Sequence, residues 1–180
     1  MPEPRLHEPW RAFLHALDDH LDAPVEIHCL GGFVIASMHN FTRVTADVDV
    51  FQVVGTSAHA IASLAGQGSP LHQAHKVYLD IVAVASVPDN YAARLIPIFP
   101  NEFRHLRVMA MEAHDLVLAK LARNIDRDRE DVRRLALNGS LDAEVLQRRY
   151  EDELRYQSGR PDREDLTLRL WIEMIEELSR

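Results

Sequence analysis

Two aspartates stand one residue apart in the valine-rich segment ADVDVFQVV, and their type and spacing suit metal chemistry. The alternation of residues predicts a β-strand, in which Asp47 and Asp49 leave the same face. Two carboxylates about 6 Å apart repel each other by a few kcal/mol at an effective dielectric of about 20. A divalent cation reverses the sign of that interaction, and Mg²⁺ prefers hard oxygen ligands. The segment therefore predicts a site for Mg²⁺ or Mn²⁺.

A third carboxylate, Asp80, interrupts the apolar segment VYLDIVAV in a similar way. If the two strands are neighbours, Asp80 lies beside the pair. Two carboxylates then hold metal, while the third shares a metal or takes the proton of an attacking hydroxyl. The alternative is that these aspartates cap turns or face solvent at one end of a sheet.

A pair of glycines, Gly31 and Gly32, separates the segment VEIHCL from FVIASMHN. Without a Cβ, the backbone N–H groups there can approach a phosphate, and the N-terminus of a following helix favours an anion. The alternative is a tight turn between a strand and a helix that needs only space. A glycine turn, an Asp-x-Asp strand and a later lone aspartate form the order that a metal-dependent nucleotidyl-transfer site needs.

Hydrophobic periodicity predicts the elements that must position these residues. The order is a helix in EPWRAFLHALDDHLD, a strand over 25–30, a helix beginning on the glycines, a strand in ADVDVFQVV, a helix over 56–66 capped by Thr56, a strand over 75–85, a short helix in PDNYAARLI and an edge strand over 104–111. From Glu112 onward the pattern is helical, and Ser140 is the predicted cap of LDAEVLQRRYEDELRYQ. The last helix repeats Leu166, Leu170, Met174 and Leu178 every four residues, which predicts an apolar face.

Composition restricts the class of protein. The chain has 180 residues, a net charge of −8 and one cysteine. An acidic chain is a poor general nucleic-acid binder, and a single cysteine excludes an internal disulfide. No segment resembles a signal peptide or reaches the length of a membrane span. We therefore expect a cytoplasmic protein with no membrane partner.

The segment LGGFVIASMHNFTRVTADVDV resembles the signature of the nucleotidyltransferase superfamily with the polymerase-β-like fold. It is most similar to small bacterial nucleotidyltransferase-like proteins, including the AbiEii-type toxins of toxin–antitoxin systems. In these, a glycine pair precedes a run that here reads Arg43, Thr45, Asp47 and Asp49. MEAHDLVLAKLARNIDRDREDVRRL resembles their later segment, with a lysine on a helix (Lys120) and an Arg-Asp-x-x-Asp run after it.

The resemblance implies an α+β fold, a small mixed sheet with packed helices, over residues 1–137. Residues 138–180 are then a C-terminal helical extension on the same core. It implies Mg²⁺ (or Mn²⁺) bound by Asp47, Asp49 and Asp80, and transfer of a nucleoside monophosphate from an NTP to a hydroxyl of RNA or protein. Gly31, Gly32, Arg43, Thr45 and Lys120 would bind the nucleotide, and an antitoxin protein would be a partner.

Several alternatives stay open beside this prediction. Many active relatives carry a serine where Phe33 follows the glycines, which favours a degenerate fold that binds a nucleotide or a protein without chemistry. Lys120 could extend its ammonium from an apolar helix to solvent. Asp128 and Asp131 could form structural salt bridges with Arg127 or Arg134. The C-terminal helices carry enough apolar residues for a homo-oligomer.

Overall fold

A computed structural model describes residues 4–39, 45–82 and 85–179. The chain divides into two compact units: unit 1 comprises Met1–Ala83 and Leu95–Met111, and unit 2 comprises Val84–Arg94 and Glu112–Arg180. The predicted boundary after residue 137 falls inside unit 2, whose buried core draws residues from both sides of it. Among the described residues, no helix is long and apolar enough to cross a lipid bilayer.

Unit 1 is built on a mixed β-sheet. Its described strands are β1 (Val25–Leu30), β2 (Asp47–Val54), β3 (Tyr78–Ile81), β4 (Ile96–Ile98) and β5 (Leu106–Ala110). Their spatial order is β3-β2-β1-β5-β4. The pairs β1–β2 and β4–β5 are antiparallel, whereas β1–β5 and β2–β3 are parallel. The predicted α+β class with a small mixed sheet is thereby confirmed.

Unit 1 also contains four described helices. The described ones are α1 (Trp10–Asp19), α2 (Gly31–His39), α3 (Ala58–Ala65) and α4 (Pro70–His75). The buried residues of α1 include Trp10, Phe13 and Leu17, as their helical spacing predicts. The ring of Trp10 packs edge-on against Phe33 of α2, with 5.2 Å between the ring centroids. Burial of each such side chain contributes roughly 1.5–3 kcal/mol.

The regular secondary structure of unit 2, among its described residues, is helical. It contains α5 (Ala113–Leu118), α6 (Asp126–Leu137), α7 (Ala143–Arg149) and α8 (Pro161–Leu178), with short 3₁₀ segments at Tyr91–Arg94 and Arg155–Gln157 and a π-helical turn at Tyr150–Leu154. Leu146, Tyr150, Leu168 and Trp171 lie in its buried core. The sequence pattern predicted this all-helical character from Glu112 onward.

The predicted edge strand was wrong in its position. β5 lies between β1 and β4, so it is an interior strand of the sheet. The pattern missed β4, because a three-residue strand with a central proline, Pro97, carries almost no periodic signal. Proline cannot donate to a ladder of hydrogen bonds and is confined to edge strands, which is where β4 lies.

Local capping and the exposed face of α8 also differ from the predictions. Ser57, rather than Thr56, caps α3, and Asp142, rather than Ser140, caps α7 by accepting from Glu144 and Val145 N–H. Leu166 and Leu170 are 47% and 53% exposed. Residues four apart drift around a helix of 3.6 residues per turn, so a strict four-residue repeat cannot stay on one buried face.

Candidate functional site

Three aspartates converge on one face of the sheet in unit 1. A ligand oxygen from each of Asp47, Asp49 and Asp80 lies within 4.8 Å of the other two. Asp47 and Asp49 are half-buried, and Asp80 is exposed. The predicted carboxylate pair and the third carboxylate from a later segment are therefore adjacent, and their spacing allows all three to share one cation.

Strand pairing explains this convergence. β2 and β3 are parallel, and the Cα of Asp49 pairs directly with that of Asp80. Asp47 pairs with Tyr78, so Tyr78 occupies the same face as the carboxylates. The opposite face carries Val48, which is fully buried. The apolar positions thus place the strands in the core, and the alternate positions present the carboxylates.

The glycine turn lies directly against this cluster. β1 ends opposite Asp49, where Leu30 pairs with it, and Gly31 begins α2 with a φ of +74°. A Cβ placed on Gly31 would stand 1.8 Å from Oδ2 of Asp49. Gly32 follows as a buried residue of α2. Only glycine fits at position 31, because both its backbone conformation and the nearby carboxylate exclude a side chain.

Thr45 fixes the position of the first carboxylate. Its side-chain hydroxyl donates a hydrogen bond to Oδ1 of Asp47. Its carbonyl oxygen accepts a hydrogen bond from Trp10 Nε1 at 3.2 Å, and Thr45 itself is buried. The predicted site residue Thr45 is therefore adjacent to the cluster and orients Asp47.

The concentration of negative charge acts on the neighbouring titratable groups. Burial raises the pKa of the Cys29 thiol, and the charge of Asp49 raises it further. Burial likewise raises the pKa of Tyr78, with additional contributions from Asp47, Asp80 and Asp49 in that order. A field of this sign disfavours any further negative charge and favours a cation at the carboxylates.

Two other residues predicted to bind the nucleotide, Arg43 and Lys120, are not among those found beside the carboxylates. Arg43 lies outside the described residues. Lys120 belongs to unit 2, where its ammonium Nζ lies 3.2 Å from Oδ1 of Asp128 and 2.9 Å from Oδ2 of Asp131. Lys120 is only 6% exposed, so its ammonium is paired within the protein and does not extend to solvent. Its contact with a triphosphate stays a prediction.

The sequence interpretation did not single out Tyr78 as a neighbour of the carboxylates. The signal was present, because Tyr78 and Asp80 are two residues apart on a strand and therefore share a face. Only the pairing of Tyr78 with Asp47 places its ring beside the first carboxylate as well.

A mixed sheet with three clustered carboxylates beside a glycine turn defines an α+β protein with a candidate divalent-cation site. The chain belongs to the family described as nucleotidyltransferase of unknown function (DUF6036), which matches residues 11–179. The match extends over both units and confirms the predicted superfamily, which implies an NTP substrate in general. Comparisons with curated proteins and with solved structures gave no match.

Proposed function

We propose that this protein is a metal-dependent nucleotidyltransferase with a polymerase-β-like fold. It transfers a nucleoside monophosphate from an NTP to a hydroxyl group of an RNA or protein acceptor. The observation that carries the proposal is the convergence of Asp47, Asp49 and Asp80, whose ligand oxygens lie within 4.8 Å of one another. Membership of a nucleotidyltransferase family supports the same reaction class.

The three carboxylates fit Mg²⁺ or Mn²⁺, because both cations prefer oxygen ligands and the oxygens are close enough to share one ion. Asp47 and Asp49 would hold the ion, and Asp80 is near enough to share it. When bound, such a cation neutralises phosphate charge and orients the attacking oxygen. Thr45 keeps Asp47 in the orientation that this requires.

The proposed reaction is a displacement at phosphorus. The acceptor hydroxyl oxygen forms a bond to the α-phosphorus, and the bond from the α-phosphorus to the oxygen bridging it to the β-phosphorus breaks. Pyrophosphate leaves with that bridging oxygen. Asp80 accepts the hydroxyl proton, a role that suits the exposed member of the cluster.

The phosphates of the NTP would lie against the glycine turn. A Cβ on Gly31 would meet Asp49, so N–H groups at the start of α2 would lie near a cation held by the carboxylates. Arg43 and Lys120 are the proposed basic contacts to phosphate. In that role Lys120 would exchange its contacts with Asp128 and Asp131 for phosphate oxygens.

Within the superfamily we place the protein in the AbiEii-toxin-like branch, with an antitoxin protein as its partner. The motif run Arg43, Thr45, Asp47 and Asp49 supports this placement. Expression of the wild type in a bacterial host should then slow growth, and expression of Asp49→Asn should not.

A second candidate function is a non-catalytic nucleotide- or protein-binding module. The observation that favours it is the environment of Phe33, which is fully buried and packs against Trp10 and Phe99. Where many active relatives present a serine hydroxyl, this chain therefore presents a core aromatic ring.

Transfer of label from each α-³²P-labelled NTP to total RNA and to total protein, with Mg²⁺ or Mn²⁺, tests the first proposal. We expect transfer by the wild type and none by Asp47→Asn or Asp49→Asn, because either change removes a charged ligand. Asp22→Asn is the matched control, because Asp22 is an exposed carboxylate of the same unit. Binding of an NTP and metal by the wild type without any transfer would favour the second candidate.

A further inference from the structure

Tyr78 completes a block of four side chains on one face of the sheet. Its Cα pairs with that of Asp47, just as Asp80 pairs with Asp49 on the next step of the same two strands. Paired residues of neighbouring strands project to the same side. The phenol ring of Tyr78 therefore borders the first carboxylate of the cluster.

The ring of Tyr78 is supported from outside the sheet by α4. His72 packs against it edge-on, with 4.9 Å between the ring centroids and an interplanar angle of 66°. His72 is held in turn by the backbone, because its Nδ1 accepts a hydrogen bond from Gly68 N–H at 2.9 Å. Ser69 caps the same helix by accepting from His72 N–H. The phenol is therefore positioned by a locally ordered segment.

Hydrogen-bonding capacity distinguishes Tyr78 from the rest of the cluster. The three carboxylates can only accept when ionised, and a phosphate oxygen can also only accept. The hydroxyl of Thr45 already donates to Asp47. The hydroxyl of Tyr78 makes no hydrogen bond to another residue in the described parts of the chain. It is a side-chain donor beside three carboxylates that only accept, in addition to the backbone N–H groups of the glycine turn.

We propose that Tyr78 contacts the substrate at this site, with its O–H donating to an anionic oxygen of a polyphosphate that a carboxylate-bound divalent cation holds there. This inference rests on the proposed function and adds the group that contacts phosphate. A polyphosphate fits this site because a cation on the carboxylates would attract it. The phenol can donate a hydrogen bond to a phosphate oxygen without competing for the cation.

The test compares Tyr78→Phe with the wild type in calorimetric titrations. The probes are Mn²⁺ alone and inorganic tripolyphosphate in the presence of Mn²⁺, which carries the phosphates of an NTP without its base. Tyr78→Phe keeps the ring that packs on His72, so the variant should fold. We expect unchanged Mn²⁺ affinity and a loss of tripolyphosphate affinity of about 10-fold or more, as for a hydrogen bond to a charged group.

Tyr156→Phe is the matched control, because it removes a phenol hydroxyl that donates to Asp89 in unit 2. It should change neither affinity. Equal tripolyphosphate affinity in Tyr78→Phe and the wild type would overturn the inference while leaving the proposed function intact. A further outcome is that Tyr78→Phe binds tripolyphosphate normally while Tyr78→Leu binds ATP more weakly. That result would overturn the hydrogen bond to phosphate and indicate that the ring stacks on the base instead. No Mn²⁺ binding by the wild type would overturn the proposed function and this inference together.

Discussion

At the scale of single residues, Gly31 is a position that excludes a side chain. Its φ of +74° is a left-handed conformation, and a Cβ there would overlap Oδ2 of Asp49 at 1.8 Å. The left-handed backbone alone costs a residue with a side chain roughly 1–2 kcal/mol. The overlap must in addition displace either the turn or the carboxylate, so Gly31 links the backbone conformation to the candidate cation site.

We predict that Gly31→Ala abolishes Mn²⁺ binding and lowers the free energy of unfolding by more than about 2 kcal/mol. Calorimetric titration with Mn²⁺ and urea unfolding measure the two effects. Gly139→Ala is the control, because Gly139 has a φ of +66° but no atom within 4 Å of an added Cβ. It should show the backbone cost of about 1 kcal/mol with Mn²⁺ binding unchanged. Normal Mn²⁺ binding by Gly31→Ala would contradict the close approach of the turn to Asp49.

Asp18 is a second residue whose role depends on its contacts. Its carboxylate accepts hydrogen bonds from the backbone N–H groups of Arg104, His105 and Leu106 at 2.7–2.8 Å. Burial raises the pKa of this carboxyl, but the three backbone donors outweigh burial and the pKa is lowered overall. Asp18 therefore ties the end of α1 to the start of β5.

We predict that Asp18→Asn lowers the free energy of unfolding by about 3 kcal/mol at pH 7, because an amide cannot satisfy three donors. A carboxyl with a lowered pKa in the folded state stabilises above its unfolded pKa and loses that contribution as pH falls through the folded pKa. The difference between wild type and variant in urea unfolding should therefore shrink below about pH 4. Asp19→Asn, at the exposed neighbouring position, should change stability by less than about 0.5 kcal/mol at either pH. If the difference in free energy of unfolding did not change with pH, Asp18 would not be stabilising the fold as an ionised carboxylate.

At the scale of elements, the connection from α5 to α6 is organised by a buried charge cluster. Lys120 contacts both Asp128 and Asp131, and Arg123 donates to both oxygens of Asp128. Asp128 is fully buried and also accepts from Ile125 N–H at the start of α6. Burial raises the pKa of Asp128, but hydrogen bonds and charge from Arg123 and Lys120 lower it overall. The observed partners make these aspartates part of a structural salt-bridge network.

We predict that Lys120→Met destabilises the protein by about 3–5 kcal/mol, because it leaves two buried carboxylates short of a cation. Adding Asp131→Asn to Lys120→Met should recover part of that loss in urea unfolding. Arg134→Ala is the control, because the Arg134–Glu130 pair is exposed and should be worth under about 0.5 kcal/mol. Full stability of Lys120→Met in urea would contradict a structural role for this ammonium in the free protein, whatever its effect on NTP binding.

At the scale of the whole molecule, the proposed cation site would link metal binding to folding. All three carboxylates belong to unit 1, so a cation that binds only the folded site stabilises that unit. At 100 times its Kd, a ligand adds about 2.7 kcal/mol to the free energy of unfolding. When a chelator removes the cation, the three like charges repel one another, and this repulsion lowers the free energy of unfolding.

We predict that saturating Mn²⁺ raises the Tm of the wild type by roughly 5–10 °C relative to EDTA, in scanning calorimetry. Asp49→Asn should lose this increase and, in EDTA, should unfold at the same temperature as the wild type or above it. Asp22→Asn should behave as the wild type, since its carboxylate is exposed and outside the cluster. A Tm that Mn²⁺ leaves unchanged in the wild type would contradict a cation site at these carboxylates.

Much of the fold followed from local patterns in the chain. The bounds of β1, the start of α2 on Gly31 and the strand that carries Asp47 and Asp49 all agree with the sequence prediction. These features depend on periodicity and on glycine, which act within a few residues. The shared face of Asp47 and Asp49 is such a feature, because a period of two is a property of any strand.

Other features depended on contacts between distant segments. A strand as short as β4, with three residues, gives too little periodic signal to be predicted. Several nearby residues can also cap a helix: Ser57 caps α3 in place of Thr56, and Asp142 caps α7 in place of Ser140. Local propensity does not choose between them, because the choice depends on where the rest of the chain holds each helix and strand.

The order of residues along the chain was enough to predict a carboxylate pair on one strand, a glycine turn before a helix and a third aspartate on a later strand. The folded chain was needed to find that Asp80 pairs with Asp49, that Gly31 lies against the same carboxylate and that Tyr78 borders Asp47. The physical reason is that strand order and register are chosen by burial of apolar faces such as that of Val48 and Leu79. Several pairings of short apolar strands bury similar area, so their choice is a property of the whole packed core.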